Sequence, residues 1–431
     1  LTLSPNGAAA AAIAAPRELR RTELAAYGGL GLPLAFAALP LYVMVPDLYT
    51  RLFGLPLALV GGLLLAARLF DAVIDPLIGH WIDRGRRRAN YGLALAAALP
   101  LLAVGFAGLF NPPAIATALP AAWLLAMLAV TCTGYSLATI AHQAWGAELA
   151  RSSAGRARVA AAREGCGLVG VIAAALLPAA LGMPATSALL AALLVAGGLL
   201  LTALPSVPRA VPAAAAPRLL APLRNPALRA LLGIFVVNGI ASAVPATLVL
   251  FFVRDALGLP DWGGRFLALY FLAGAAAMPA WVALSARLGL LRSWLAGMVL
   301  SIAAFAWVLM LPGLPPTSAL VGFGAVSLLA GLALGADLVA PAALLAGVIQ
   351  RAGGRLGEGA CFGLWNFATK LNLALAAGLA LPLLETLGYT PGAASPAGTR
   401  ALLLAYGLLP CVLKIGAAIL LWRQRNHLKE D

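Results

Sequence analysis

The chain is short of charge. Asp, Glu, Lys and Arg together make up 10% of its 431 residues, against about a quarter in soluble proteins. A water-filled catalytic domain of this length is thereby excluded. It is also short of cysteine: Cys132, Cys166, Cys361 and Cys411 lie singly inside apolar runs, with no CxxC or Cys/His spacing, so neither a disulfide framework nor a zinc site is expected. No HExxH, GxGD or Walker A motif is present, so neither metalloprotease chemistry nor ATP drives its action. Basic residues exceed acidic ones, 29 to 15, yet they are scattered among short connections without interleaved aromatics, which excludes a nucleic-acid surface.

What remains is apolar. Hydrophobic residues are 62% of the chain, and runs long enough to cross a hydrocarbon core, about 20 residues as helix, recur from end to end. Punctuated at Pro, Gly and charge, they give spans at 23–46, 57–82, 91–110, 121–149, 160–182 and 186–204, then 229–253, 266–286, 294–312, 318–349, 360–384 and 401–422. The fold class is therefore an all-α membrane protein of twelve transmembrane helices in two pseudo-symmetric six-helix bundles. The expected divisions are a tail 1–22, a first bundle 23–204, a linker 205–228 rich in Pro, Ala and Arg, a second bundle 229–423 and a tail 424–431. The Ala-rich opening stretch has no basic region ahead of it and fails the order of a signal peptide.

Orientation follows from the arginines. The tails and alternate loops collect Arg17, Arg20, Arg21, the Arg84 to Arg88 block, Arg151, Arg156, Arg158 and Arg423, whereas the opposite loops hold Arg51, Arg254, Arg265 and Arg400. Positive charge stays on the cytoplasmic side, which puts both termini there and the protein in the cell's inner membrane. Two six-helix halves point to alternating access around a midplane cavity. The expected partners are a small-molecule substrate and the bilayer, with the chain a monomer and no cofactor beyond a coupling ion, H⁺ or Na⁺.

Charges at bilayer depth cost about 2.5 to 3.5 kcal/mol each on insertion scales, so each asks for a partner or a task. In "ARLFDAVIDPLIGHWIDRGRRR", Arg68, Asp71 and Asp75 are three and four residues apart and share one helix stripe. One arginine does not balance two acids, so a bound proton or Na⁺ is expected at Asp71 and Asp75, and Pro76 frees a backbone carbonyl beside them. A plain packing salt bridge from Arg68 is the alternative. Asp337, Lys370 and Lys414 are the other charges deep in spans. Asp337 reads as an extra proton site or as a partner of Lys370, with a local hydrogen bond beside Pro341 the bland alternative, and Lys414 has no assigned role. His142 and Gln143 lie one turn beyond Thr139, within reach of a substrate. Glu148 and Glu164 read as ion-pair partners of the nearby arginines.

A resemblance sharpens this. "ARLFDAVIDPLIG", "YSLATIAHQAWGAELARSSAGRARVAAAREGCGLVG" and "RLGEGACFGLWNFATKLNLALAAGLALPLLETLGY" occur in order and resemble the glycoside-pentoside-hexuronide:cation symporters, the melibiose-permease group of the major facilitator superfamily. The resemblance implies a cation site of Asp71, Asp75 and Ser136 faced by Lys370, with Arg163 lining the substrate cavity. Ile74 stands where Na⁺-using members have an asparagine, and losing that oxygen ligand favours H⁺. Ala35, Thr139 and Gln143 replace two acids and a tryptophan that serve galactosides, which argues against a disaccharide. With Arg163 and Lys370 kept, the expected substrate is a small anion such as a uronate or carboxylate, and an amphiphile such as a lysophospholipid is the alternative. A membrane phosphoalcohol transferase, echoed by Asp71, Asp75, Gly79 and Asp83, lacks its last acid because Arg87 stands in that region.

Overall fold

The computed structural model describes residues 19–85, 88–149, 153–202, 204, 221–352, 358–393 and 395–428. The first half contains α1 (Arg21–Phe53), α2 (Leu57–Gly85), α3 (Arg88–Phe110), α4 (Pro120–Leu149), α5 (Ser153–Leu181) and α6 (Met183–Thr202). The second contains α7 (Pro226–Ala256), α8 (Gly263–Leu288), α9 (Leu290–Val308), α10 (Pro316–Arg351), α11 (Glu358–Thr386) and α12 (Pro396–Leu428). Among the described residues eleven helices are long and apolar enough to cross a membrane. The twelfth, α2, has 29 residues and reaches about 43 Å at 1.5 Å per residue, more than the roughly 30 Å core.

Several helices run further than proline punctuation implied. α1 continues through Pro40 and Pro46 to Phe53, and in its last turns Thr50 donates its hydroxyl back to the carbonyls of Pro46 and Asp47 at 2.9 and 3.1 Å. The expected tail at 424 is helical to Leu428, and α1 begins at Arg21 rather than 23. α7 starts where the linker was expected to end: Asn225 caps it by accepting from the amides of Ala227 and Leu228 at 2.9 and 3.1 Å, with Pro226 at the first position. Most of the linker, 205–220, lies outside the described residues, as do Arg86 and Arg87 and the side chains of Pro76, Gly79, Asp83, Arg84, Arg88 and Glu148.

Helix neighbours repeat with an offset of six. α1 packs on α5 and α6 as α7 packs on α11 and α12; α3 packs on α4 and α6 as α9 packs on α10 and α12; α2 meets α4 as α8 meets α10. Across the halves α2 meets α11, α5 meets α8 and α1 meets α7, and these crossings place the site. Helix crossings, within a half and between the halves, are tight where glycine allows it. A Cβ on Gly170 of α5 would lie 2.1 Å from the Leu32 carbonyl oxygen of α1, and one on Gly264 of α8 would lie 2.2 Å from the Ala175 oxygen of α5. No side chain fits at either crossing.

Candidate functional site

The stripe on α2 divides its charges between two neighbours. Arg68, buried, lies over the Tyr42 ring of α1 with 4.2 Å to the centroid and donates to Asp71 Oδ2 at 3.1 Å. Asp71 is 1% exposed, so this is a buried pair within one helix, as the packing alternative held. One turn on, Asp75 pairs with Lys370 Nζ of α11. The same nitrogen lies 3.2 Å from Ser136 Oγ of α4. The premise that one arginine faces two acids is therefore corrected: Lys370 is the second cation, and the four groups sum to zero charge when ionised. Oδ1 of Asp71 and Oδ1 of Asp75 are both enclosed and have no partner among the described residues. Two orphaned carboxylate oxygens one turn apart suit a proton or a small cation.

Other expected site residues fall elsewhere. His142 is fully buried: its Nε2 lies 2.9 Å from the Tyr27 carbonyl oxygen, Tyr27 donates back to the His142 carbonyl at 3.1 Å, and its Nδ1 has no partner among the described residues. Through Nε2 the ring ties α4 to α1, a packing contact. Thr139 and Gln143 are half-buried on the same helix. Arg163 is engaged by its neighbour Glu164, from Nη2 at 2.6 Å and Nε at 3.1 Å, so its positive charge is not free. The cysteines are all free thiols.

Asp337 does not partner Lys370. Four side chains from three helices converge on it instead: Lys414 of α12 at 2.7 Å, Trp294 of α9 at 2.9 Å, and Asn238 and Ser242 of α7 at 3.0 and 3.4 Å. Lys414, 2% exposed, thereby gains the role that sequence left blank. The expected partnership with Lys370 is thereby corrected: Asp337 is a half-buried hub that ties three helices of the second half together. It borders an apolar cavity lined by Val43, Tyr270, Phe305 and Tyr406.

Sequence reasoning passed over a third charged cluster, at the helix ends on the face opposite the termini. Asp47 of α1 pairs with Arg254 of α7; Asp47 also holds Arg51 at 3.1 Å. Arg254 grips Asp255 from Nε at 2.6 Å and Nη2 at 2.8 Å. Asp255 in turn accepts from the Tyr389 hydroxyl and from the Gly392 amide at 3.1 Å. Burial pushes the Tyr389 hydroxyl well above its usual range, so it stays a donor. Nearby, Glu385 at the end of α11 accepts from the Ala58 amide at the start of α2 at 2.5 Å. The only signal in sequence was an acid at 47 and an arginine at 254, far apart in loops taken as solvated.

With this geometry in place, comparison with known proteins adds the following. The profile of a family described as MFS/sugar transport protein matches residues 24–425. An uncharacterized symporter, YjmB of Bacillus subtilis (strain 168), is 28% identical over 119 residues, 27% of this chain and 26% of that protein; the aligned stretch is thus about a quarter of the relative. The crystal structure of the nucleoside transporter NupG superposes with a TM-score of 0.68 at 12% identity, covering 96% of this chain and 100% of that one. A bacterial homologue of the human lysosomal transporter Spinster, inward-facing and unoccupied, gives a TM-score of 0.67 at 15% identity, covering 94% and 97%. At these identities the structures speak for the fold alone.

Proposed function

The chain belongs to the MFS/sugar transport protein family and is a multi-pass secondary transporter, and from that premise we propose that it is a proton-coupled symporter of a small anionic solute. The observation that carries the reading is Lys370, whose ammonium bridges Asp75 and Ser136 and so joins α11 of one half to α2 and α4 of the other. With Asp75 ionised, the lysine is occupied. A proton on Asp75 removes its charge, and the lysine becomes available to a carboxylate.

Proton and anion then need one another. A protonated Asp75 without an anion leaves Lys370 as an uncompensated charge in a poorly solvated site, and an anion without the proton competes with Asp75 for the same ammonium. Together they restore the sum to zero. Na⁺ is the less favoured coupling ion, because Ile74 offers no oxygen and Lys370 already fills the position of a cation. Thr139 and Gln143 on α4 supply hydrogen-bonding groups for the solute, a uronate or carboxylate. Arg163 serves at its entrance once exchanged from Glu164. The two halves of the cycle are the bundles 23–204 and 229–423, with both termini on the cytoplasmic side of the inner membrane by the distribution of arginine.

The test is uptake into proteoliposomes. A ligand chosen by its rise in melting temperature among uronates and small carboxylates should accumulate under an inward pH gradient and not under a Na⁺ gradient alone. Uptake indifferent to both gradients overturns the reading.

A further inference from the structure

Resting on the two-half transport reading above, we infer that Asp47 and Arg254 form a reversible latch that holds the halves together on the face opposite the termini, assisted by Glu385 acting as a helix cap across the halves. Asp47 belongs to α1 and Arg254 to α7, so their ion pair crosses between the bundles. Their side chains are 8% and 15% exposed, which makes the pair more than a solvated surface contact.

The design of the cluster is what marks it as a latch rather than a weld. Removing a partner from a buried ion pair is costly because the remaining charge is stranded. Here neither charge is stranded on separation. Asp47 keeps Arg51, four residues on along its own helix, and Arg254 keeps a bidentate grip on Asp255 within its own half. Asp255 is itself held by Tyr389 and Gly392 from the connection between α11 and α12, so the α7 end carries a pre-positioned guanidinium. The two Arg and two Asp sum to zero whether the latch is open or shut.

Glu385 repeats the device at the next crossing. The first turn of α2 has amides with no helical partner and a positive dipole end, and the carboxylate that meets the Ala58 amide comes from α11 of the other half. Parting the halves hands that amide and that carboxylate to water, at small cost. At the third crossing Gly264 lies against the Ala175 carbonyl of α5. Three reversible or merely steric contacts thus close this face.

The experiment is hydrogen–deuterium exchange by mass spectrometry on the purified full-length protein and its variants, without substrate or gradient. Asp47→Asn and Arg254→Gln should each raise exchange about ten-fold at amides 58–62 of α2 and 264–268 of α8, which neither substitution touches. Arg51→Gln, which leaves the crossing pair intact, should leave those amides at the wild-type rate. Glu385→Gln, made at the other edge, should reciprocally raise exchange at 252–257 of α7, and serves if Asp47→Asn proves poorly folded. Faster exchange confined to the mutated helix ends, or wild-type rates at the distant amides, overturns the latch. Because no solute or ion gradient enters the measurement, its outcome is separate from that of the coupling test.

Discussion

Asp75→Asn is the perturbation that bears most directly on coupling. The amide keeps the size of the side chain but cannot ionise, so Lys370 loses its counter-charge and retains Ser136, 3.2 Å away. The side chains of Lys370 and Asp75 are 24% and 23% exposed, between the fully buried case, where breaking a pair costs about 3 to 5 kcal/mol, and the exposed case of at most about 1. About 2 kcal/mol is therefore the cost of freeing the lysine in the wild type. The variant has no such cost, and its affinity for the anion should rise by up to about 30-fold. The gain comes with a loss: nothing binds the coupling proton. In proteoliposomes the variant should exchange labelled solute for unlabelled solute as the wild type does, with a half-saturation that no longer depends on pH, while accumulation under a pH gradient disappears. Uphill accumulation by Asp75→Asn with wild-type pH dependence refutes the assignment of the proton to Asp75.

Three further outcomes follow from named contacts. Ile74→Asn should introduce Na⁺ stimulation of uptake, because it adds an amide oxygen beside Asp75; uptake that ignores Na⁺ shows that the missing ligand does not set ion choice. Arg68→Gln leaves Asp71, 1% exposed, without its cation and should cost about 3 to 5 kcal/mol of stability, seen as a large fall in melting temperature; a fall no greater than that of an exposed Arg51→Gln contradicts the buried-pair reading. Lys414→Ala should cost about 3 kcal/mol by the same argument, and Asp337→Asn added to it should recover much of the loss. Additive losses in the double variant show that the two residues do not act as a pair.

The membrane fold was legible because it depends on quantities that a single sequence carries: the length of apolar runs, the side on which arginines collect and the helical spacing of Arg68, Asp71 and Asp75. Ser136 and Lys370 were legible through resemblance, and the structure brings both to Asp75. What stayed hidden were the other pairings set by a partner remote in the chain. His142 reads as reaching toward a substrate, and nothing near it in sequence tells that Tyr27, 115 residues earlier, holds one of its ring nitrogens. Lys414 sits amid apolar residues that do not tell which face of α12 is buried, and its partner lies 77 residues away. Asp47 and Arg254 are 207 residues apart, each beside a turn where a charge is ordinarily solvated. Proline misled as well, since Pro40 and Pro46 stand inside α1 rather than ending it.

The ion pairs differ most in what happens to them when the halves part. Arg68–Asp71 lies within α2, and Asp337–Lys414 lies within the second half; neither need break in a rigid-body cycle, and both are deeply buried, as suits permanent links. Asp47–Arg254 crosses between the halves, but each member has a second partner on its own side, so opening there is inexpensive. Asp75–Lys370 also crosses, and here the described residues offer no reserve: Ser136, the lysine's other contact among them, belongs to the same half as Asp75. Separation at this point strands an ammonium and a carboxylate together unless something replaces each. In the proposed coupling a proton replaces the lysine for Asp75, and a solute anion replaces Asp75 for the lysine. Either alone leaves one charge uncompensated, at a cost of about 2 kcal/mol for this partly exposed pair, and in the proposed cycle that cost disfavours the crossing of a half-loaded carrier.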